Sequence, residues 1–311
     1  MPALSILLII AQFFTGTLDT VQSQVLGVFN IFNNQYSVEQ FVRNLNVLIG
    51  PIRNTSQPDL KLRAKAAIIL DQESNRILFT QNETEQLPMA SITKIMTALV
   101  VLDKYGDKLD TVITVPIEAT KITGSTMDLY ANEKLTALNL LKGLLINSAN
   151  DSALTFAYNV AGSPEKFAVL MNTKAATLGL YHTHFADPIG FDAPEHYSTA
   201  LDLAELTRTA VNNPIFAQIV ATKQTTVTNT SGKFKHPLDN TNKLLGRYDN
   251  VIGVKTGTTD NAGESLVASV IGDSGQKIIV VLLDSPDRFT EGKEALDWAL
   301  KAYSWVEPLS E

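Results

Sequence analysis

The order of strand-like and helix-like segments from residue 61 onward constrains the fold more than any other feature of this sequence. It begins with two short apolar runs, Ala64–Leu70 and Ile77–Thr80, whose polar connection predicts a β-hairpin. A block of helical patterns follows, with one short strand, Val112–Val115, inside it. Helices are predicted over Ser91–Tyr105, Leu135–Ile146, Ser152–Val160, Glu165–Leu178 and Ala200–Val211.

The last third of the chain changes to strand-like character. Strands are predicted over Thr225–Thr228, Val251–Lys255, Ser265–Ile271 and Lys277–Leu283, followed by a final amphipathic helix from about Phe289 to Trp305. Because the strands are grouped and do not alternate with helices, the pattern predicts an α+β fold. In this fold helices cover an antiparallel sheet and adjoin a helical subdomain, whereas a doubly wound parallel sheet is disfavoured.

Residues 1–60 differ in character from the rest of the chain. The apolar run Leu4–Phe14 is too short to cross a bilayer, and a second patch, Val25–Phe32, follows it. The first basic residue is Arg43, so the positive region that opens a signal peptide is missing. A linker is predicted over Gly50–Asp59. We therefore expect an export or anchor segment, or a small cap, over residues 1–60, and one domain over residues 61–311.

Composition disfavours several classes of function. The formal net charge is −7 and the pI about 5.2, so the basic surface of a nucleic-acid-binding protein is absent. The chain has no cysteine, which excludes disulfides, thiolate metal sites and a cysteine nucleophile. Its 4 histidines form no HExxH pattern and are interpreted as surface or loop residues. No metal or organic cofactor is expected.

The first motif with catalytic potential is Ser91-Ile92-Thr93-Lys94, which opens a predicted helix. Free backbone N–H groups and the positive dipole end at a helix start favour a developing anion. Lys94 lies three residues on, on the same helix face, and a neutral lysine could accept the proton of Ser91. The pattern is common by chance, and a second copy, Ser163-Pro164-Glu165-Lys166, is interpreted as an ordinary helix cap.

Two further motifs follow along the chain. Ser148-Ala149-Asn150 falls in a tight turn between two predicted helices, where a hydroxyl could relay a proton and an amide could bind a peptide. Lys255-Thr256-Gly257 ends a predicted strand and offers a cation and a hydroxyl suited to a carboxylate. Taken alone, each of the first two motifs is better explained as a helix cap or helix stop, and the third could be an exposed strand end with a turn glycine. Together, in this order, they form the signature set of penicillin-binding proteins and serine β-lactamases.

From Ala64 to Trp305 the sequence resembles the low-molecular-mass D-alanyl-D-alanine carboxypeptidases of the S11 serine peptidase family. The likeness extends beyond the three motifs, through Phe167–Leu180, Thr183–Gly190, His196–Ala200 and Gly253–Gly263. It implies a β-lactamase/transpeptidase-like fold and an extracytoplasmic enzyme of the cell envelope or periplasm. The implied partners are peptidoglycan stem peptides ending in D-Ala-D-Ala, with β-lactams as covalent inhibitors, and the N-terminal segment could add membrane association.

The resemblance also implies catalytic roles. Ser91 would attack the carbonyl of the penultimate D-alanine, and Lys94 would accept its proton. Ser148 would pass that proton to the departing D-alanine. The backbone N–H groups of Ser91 and Thr258 would form the oxyanion hole.

Substrate-binding roles follow from the same resemblance. Asn150 would position the peptide, whereas Lys255 and Thr256 would bind its terminal carboxylate. Lys255, as a second cation, would also help to keep Lys94 neutral. Arg288 and Lys293 fall near the end of the predicted sheet, where either could be an extra partner for the carboxylate, but a solvated surface position is the preferred interpretation of both.

Alternative functions remain open at this point. A D,D-endopeptidase of peptidoglycan crosslinks would use the same residues, and the acyl-enzyme could also accept an amine in transpeptidation. A class A β-lactamase would need a Glu-x-x-Leu-Asn pattern, yet residues 181–197 contain only Glu195. A non-catalytic cell-wall binding module is disfavoured because the serine and lysine residues of all three motifs are intact.

Overall fold

In the computed structural model, which describes residues 50–305, a five-stranded antiparallel sheet forms the centre of the fold. The strands are β1 (Ile52–Arg53), β2 (Ala66–Asp71), β3 (Ile77–Gln81), β4 (Val112–Thr114), β5 (Lys134–Thr136), β6 (Gln224–Thr228), β7 (Lys235–Asp239), β8 (Val251–Thr259), β9 (Gly263–Ile271), β10 (Lys277–Ser285) and β11 (Tyr303–Ser304). The helices are α1 (Lys94–Tyr105), α2 (Ala137–Ile146), α3 (Asn150–Ala161), α4 (Pro164–Thr177), α5 (Ala200–Val211), α6 (Pro214–Val220) and α7 (Arg288–Ala302). The strand order in the central sheet is β3-β2-β10-β9-β8.

Both faces of this sheet are covered by helices. In the middle of β10, Val280 pairs with Ile69 of β2 and with Ala268 of β9. Ile68 packs into the apolar cluster that contains α1 and α5, whereas its neighbour Ile69 packs into the cluster beneath α7. All six residues of β2 are buried, which explains why this strand is a continuous apolar run and not an alternating one.

The first long helix, α1, joins the sheet to the helical subdomain. It packs against α2, α3, α4 and α5, and all nine residues from Lys94 to Leu102 are buried. A lysine at the start of this helix is therefore enclosed together with the apolar residues that follow it. This burial of Lys94 is the main way in which the fold determines the chemistry of the site.

The predicted α+β fold is confirmed, and most elements lie within a few residues of their predicted bounds. The hairpin of β2 and β3 forms as expected, and α5 has the predicted limits. The last helix ends earlier than predicted, at Ala302, because Tyr303 and Ser304 turn into an extended pairing with β1. That pairing places Ile52–Arg53, inside the predicted linker, against the end of the domain.

Besides the two-residue strands β1 and β11, three elements were missed by the sequence analysis. Helix α6 has only seven residues, which is too short to show a clear helical period. Strand β7 contains Pro237, which argues against a strand in a pattern-based prediction, and β5 has three residues. The remaining difference is in β8, which continues past Lys255 to Thr259, so the third motif lies within the strand and not at its end.

The predicted export or anchor segment lies outside the described residues, and the domain boundary near residue 60 stays a prediction. Within residues 50–305, none of the helices is both long and apolar enough to cross a membrane.

Candidate active site

Ser91 lies in a turn of 3-10 helix, Ala90–Thr93, that leads directly into α1. The ammonium nitrogen of Lys94 is 2.7 Å from Ser91 Oγ and donates a second hydrogen bond of 2.9 Å to the carbonyl of Ile189. The predicted contact between the serine and the lysine across one helical turn is thus present. Lys94 has no exposed surface, so Ser91 lies between its amine and the open cavity.

Burial changes the acid–base chemistry of Lys94. Desolvation lowers its pKa to about 7, against the opposing influence of the carboxylates of Asp187 and Asp151. About half of the amine is therefore neutral at pH 7, and a neutral amine can accept the proton of Ser91.

Ser148 projects from the turn between α2 and α3, as the sequence predicted. Its φ is +57°, a conformation that non-glycine residues adopt rarely and often at functional sites. Its hydroxyl oxygen accepts a 2.8 Å hydrogen bond from Lys255 Nζ. The second and third motifs are therefore in direct contact, although more than a hundred residues separate them in sequence.

Asn150 holds the segment that forms one wall of the pocket. Its side-chain amide donates to the carbonyl of Thr123, and its backbone N–H donates to the carbonyl of Ser125. The next residue, Asp151, accepts hydrogen bonds from the backbone N–H groups of Met127 and Leu129. The wall is thus fixed to the start of α3 by Asn150, the last residue of the second motif, and by Asp151, which follows it.

Lys255 is directed into the protein and not toward the open pocket. It is 1% exposed and donates to Ser148 and to the carbonyl of Thr256. Desolvation, with the nearby charges of Lys94 and Arg288, moves its pKa well below the ordinary value. Lys255 thus donates its hydrogen bonds to groups of the protein itself, whereas the predicted role was to bind the carboxylate of a substrate.

Arg288, at the start of α7, supplies the cation that faces the pocket. Its guanidinium donates to the carbonyl of Gly257 and to the hydroxyl of Thr258, at 2.7 and 2.5 Å. The side chain is 15% exposed, so the interpretation as a solvated surface residue was wrong for Arg288. Lys293 does fit that interpretation, because its side chain is 53% exposed and is paired with Asp297. One indication in the sequence that Arg288 could reach the site was its position just after the strand β10.

A cavity of about 260 Å³ opens beside Ser91. It is lined by Ser91, Gly124, Ser125, Ser148, Asn150, Ile189, Gly190, Phe191, Thr241, Thr256, Gly257, Thr258, Thr259 and Arg288. A larger cleft of about 770 Å³ lies at the opposite end of β8 and β9 and shares none of these residues. The catalytic candidates, and not cavity size, therefore identify the site.

The histidines differ from their interpretation as surface or loop residues in two cases. His236 is buried on β7 between the carboxylate of Glu133 and the carbonyl of Met127. His196 is buried and contacts Thr93, which belongs to the first motif. Among the residues that the structure describes, no group of three or more histidine or carboxylate side chains could hold a metal ion.

A serine bonded to a buried lysine at a helix start, beside a lysine–threonine–glycine strand, is typical of the active-site serine enzymes that react with penicillin. Comparison with known proteins agrees with this class. The model of the D-alanyl-D-alanine carboxypeptidase family, peptidase family S11, matches residues 52–287. The chain therefore belongs to this family.

Similar proteins include both carboxypeptidases and endopeptidases. The chain is 34% identical over 250 residues to the D-alanyl-D-alanine carboxypeptidase DacF of Bacillus subtilis, a match of 79% of this chain and 64% of that relative. It is 30% identical over 254 residues to a D-alanyl-D-alanine endopeptidase of Escherichia coli, covering 81% and 79% of the two chains. The chain thus spans less than two thirds of the length of DacF.

The same fold occurs in a solved structure. The crystal structure of the Streptomyces K15 DD-transpeptidase superposes with a TM-score of 0.75 at 28% identity. The match covers 79% of this chain and all of the transpeptidase.

Proposed function

We propose that this chain is a serine D,D-carboxypeptidase that removes the terminal D-alanine from peptidoglycan stem peptides. The observation that carries the proposal is the pair of Ser91 and Lys94, 2.7 Å apart, with the lysine fully buried and its pKa near 7. A serine hydroxyl is a poor nucleophile unless a base lies next to it, and this lysine is such a base at neutral pH.

In the acylation step, Ser91 Oγ attacks the carbonyl carbon of the penultimate D-alanine while its proton moves to Lys94. The tetrahedral oxyanion is bound by the backbone N–H groups of Ser91 and Thr258. The C–N bond then breaks as Ser148 delivers its hydroxyl proton to the departing amine of D-alanine, and the proton held by Lys94 passes to Ser148, so that both groups return to their starting forms. The products of this step are free D-alanine and an ester between Ser91 and the shortened peptide.

The terminal carboxylate of the substrate would bind Arg288 and the hydroxyl groups of Thr256 and Thr258. Arg288 faces the cavity and keeps its charge, and a guanidinium next to hydroxyl donors is suited to a carboxylate. Lys255 would act instead through Ser148, by donating to its hydroxyl oxygen and leaving the hydroxyl proton free for the leaving group.

Water would complete the cycle by hydrolysing the ester. Fast hydrolysis of a penicillin ester would require an additional base. Glu195 is exposed and is not among the residues that line the cavity. We therefore expect a penicillin adduct to persist, which separates this chain from a class A β-lactamase.

A D,D-endopeptidase activity is the second candidate, since an endopeptidase is among the relatives. The same chemistry cuts a crosslink when the leaving amine belongs to a second peptide. For either reaction the site of action would be the cell envelope, outside the cytoplasm. Residues 1–60 would provide export or attachment there, and residues 61–311 the catalytic domain.

The decisive experiment is the mass of the intact protein after incubation with benzylpenicillin, for the wild type and for Ser91→Ala. We expect one covalent penicillin on the wild type and none on the variant. Release of D-alanine from a soluble peptide ending in D-Ala-D-Ala, compared with cleavage of a crosslinked dimer, then distinguishes the two candidate reactions. A wild-type protein that neither binds penicillin covalently nor releases D-alanine contradicts the proposal.

A further inference from the structure

The peptide bond between Ala90 and Ser91 is confined from both of its sides. Ala90 has a φ of +48°, which a non-glycine residue keeps only where its surroundings enforce it. On the carbonyl side, a Cβ atom at Gly190 would lie 1.9 Å from the oxygen of Ala90. On the amide side, a Cβ atom at Gly257 would lie 3.0 Å from the nitrogen of Ser91. The segments that contain Gly190 and Gly257 thus pack against the two sides of this peptide, and they can come this close because glycine has no Cβ atom.

A buried hydrogen-bond chain ends on the carbonyl of the same peptide. Thr93 Oγ1 donates to the carbonyl oxygen of Ala90 at 2.7 Å, and it lies 2.7 Å from Nε2 of His196. At its other ring nitrogen, His196 Nδ1 accepts a hydrogen bond of 3.1 Å from the backbone N–H of Ala186. Thr93 has no exposed surface and His196 only 2%.

These contacts determine which ring nitrogen of His196 carries the proton. A neutral imidazole has one N–H, and because Nδ1 accepts from Ala186, the proton is on Nε2. The direction of the chain is therefore His196 to Thr93 to the carbonyl of Ala90. Desolvation lowers the pKa of His196, which agrees with a neutral ring.

The orientation of a peptide carbonyl determines the orientation of the N–H that follows it. A peptide unit is planar and trans, so the carbonyl of Ala90 and the N–H of Ser91 point in opposite directions. The hydrogen bond from Thr93 therefore directs the N–H of Ser91 toward the side where Gly257 and the rest of β8 lie.

We infer that Thr93 and His196 are positioning residues that orient the backbone N–H of Ser91 for binding the oxyanion of the acylation step. This inference rests on the proposed function. Neither side chain lines the cavity, so both would act through the peptide of Ala90 and not by touching the substrate. A preorganised donor binds the transition state without first reorienting, and for this reason its loss slows the chemical step more than binding.

Two matched pairs of variants test the inference. His196→Asn keeps an acceptor near Ala186 but is too short to donate to Thr93, whereas the nitrogen of His196→Gln can occupy the position of Nε2. Thr93→Val removes the hydroxyl at constant volume, and Thr93→Ser keeps it. For each variant, stopped-flow measurement with benzylpenicillin gives the dissociation constant of the non-covalent complex and the rate constant of acylation of Ser91. The melting temperature is measured in parallel.

We expect His196→Asn and Thr93→Val to lower the acylation rate constant by about tenfold to a hundredfold. Their dissociation constants should stay within about twofold of the wild type, because the orientation of this N–H matters most in the transition state. His196→Gln and Thr93→Ser should recover acylation to within about threefold of the wild type.

Other results overturn the inference. If both members of each pair slow acylation equally and in proportion to a lower melting temperature, the two side chains are only structural. If none of the variants slows acylation, the hydrogen-bond chain has no part in the reaction. If the wild type itself forms no penicillin adduct, the proposed function fails and the inference fails with it.

Discussion

The chain contains the same serine-x-x-lysine pattern at the start of two helices, and the two copies have different structures. At the start of α1, the side chains of Ser91 and Lys94 are bonded to each other, and the lysine is buried. At the start of α4, Ser163 accepts a hydrogen bond from the backbone N–H of Lys166, whose side chain is exposed. Ser163 is therefore an ordinary helix cap, as the sequence analysis predicted.

The difference between the copies comes from what surrounds each helix. Helix α1 lies among four other helices, whereas α4 keeps exposed side chains such as Val169 and Leu170 along one face. A lysine that begins an enclosed helix loses its hydration and part of its basicity, but one that begins a surface helix keeps its water. The basicity of the lysine in this pattern thus depends on how deeply its helix is buried, and not on the spacing between the serine and the lysine.

The largest expected effect is on catalysis. Replacing the lysine in each copy, Lys94→Met and Lys166→Met, should slow penicillin acylation by about 10²–10⁴-fold in the first case and leave it unchanged in the second. The reason is that Lys94 alone can accept the serine proton. Rates of adduct formation followed by mass spectrometry provide the measurement, and equal rates for the two variants would refute the assignment of the base.

The pH dependence of acylation should provide a second test of Lys94 as the base. The protonated form of Lys94 cannot accept a proton, and its pKa is about 7. The acylation rate should therefore fall about tenfold for each pH unit below 7 and level off above it. A rate measured from pH 5 to 9 that does not change, or that falls toward high pH, would contradict the role of a neutral lysine.

The stability of the fold should depend on pH through Lys94. The pKa of Lys94 is about 7 in the folded chain and returns to its ordinary value of 10.5 on unfolding, so between these values the unfolded chain binds more protons. The free energy of unfolding of the wild type should then rise with pH, relative to Lys94→Met, by up to about 1.4 kcal/mol per pH unit. Urea unfolding of the wild type and of Lys94→Met at pH 7, 8 and 9 tests this, and a difference between the two that does not change with pH would contradict it.

The smallest effect is expected at the serine of the second copy. Ser163→Ala should cost about 1 kcal/mol of stability, because it removes the cap of α4, and should leave acylation unchanged. Thermal unfolding together with the penicillin adduct assay measures both quantities. An acylation rate that falls with Ser163→Ala would show that the two copies are coupled.

The order of the longer helices and strands could be predicted from the sequence, and the family resemblance placed Ser91, Lys94, Ser148 and Lys255 in one site. These predictions depended on local periodicity and on three motifs, both of which can be read along the chain. The direction of the Lys255 side chain could not be predicted, because it depends on where the turn at Ser148 meets β8. For the same reason the sequence could not decide between a surface position and a carboxylate-binding position for Arg288, since its contacts with Gly257 and Thr258 cross from one element to another.

The pairing of β1 with β11 determines from which side of the domain a tether could extend. Helix α7 begins at Arg288, in the cavity, and its 15 residues span about 22 Å before Tyr303 meets Arg53. Both ends of the described chain therefore leave the domain side by side, at a distance from the cavity. A tether attached at either end would leave the mouth of the cavity unobstructed, which is what the proposed function would require of a domain fixed to a surface.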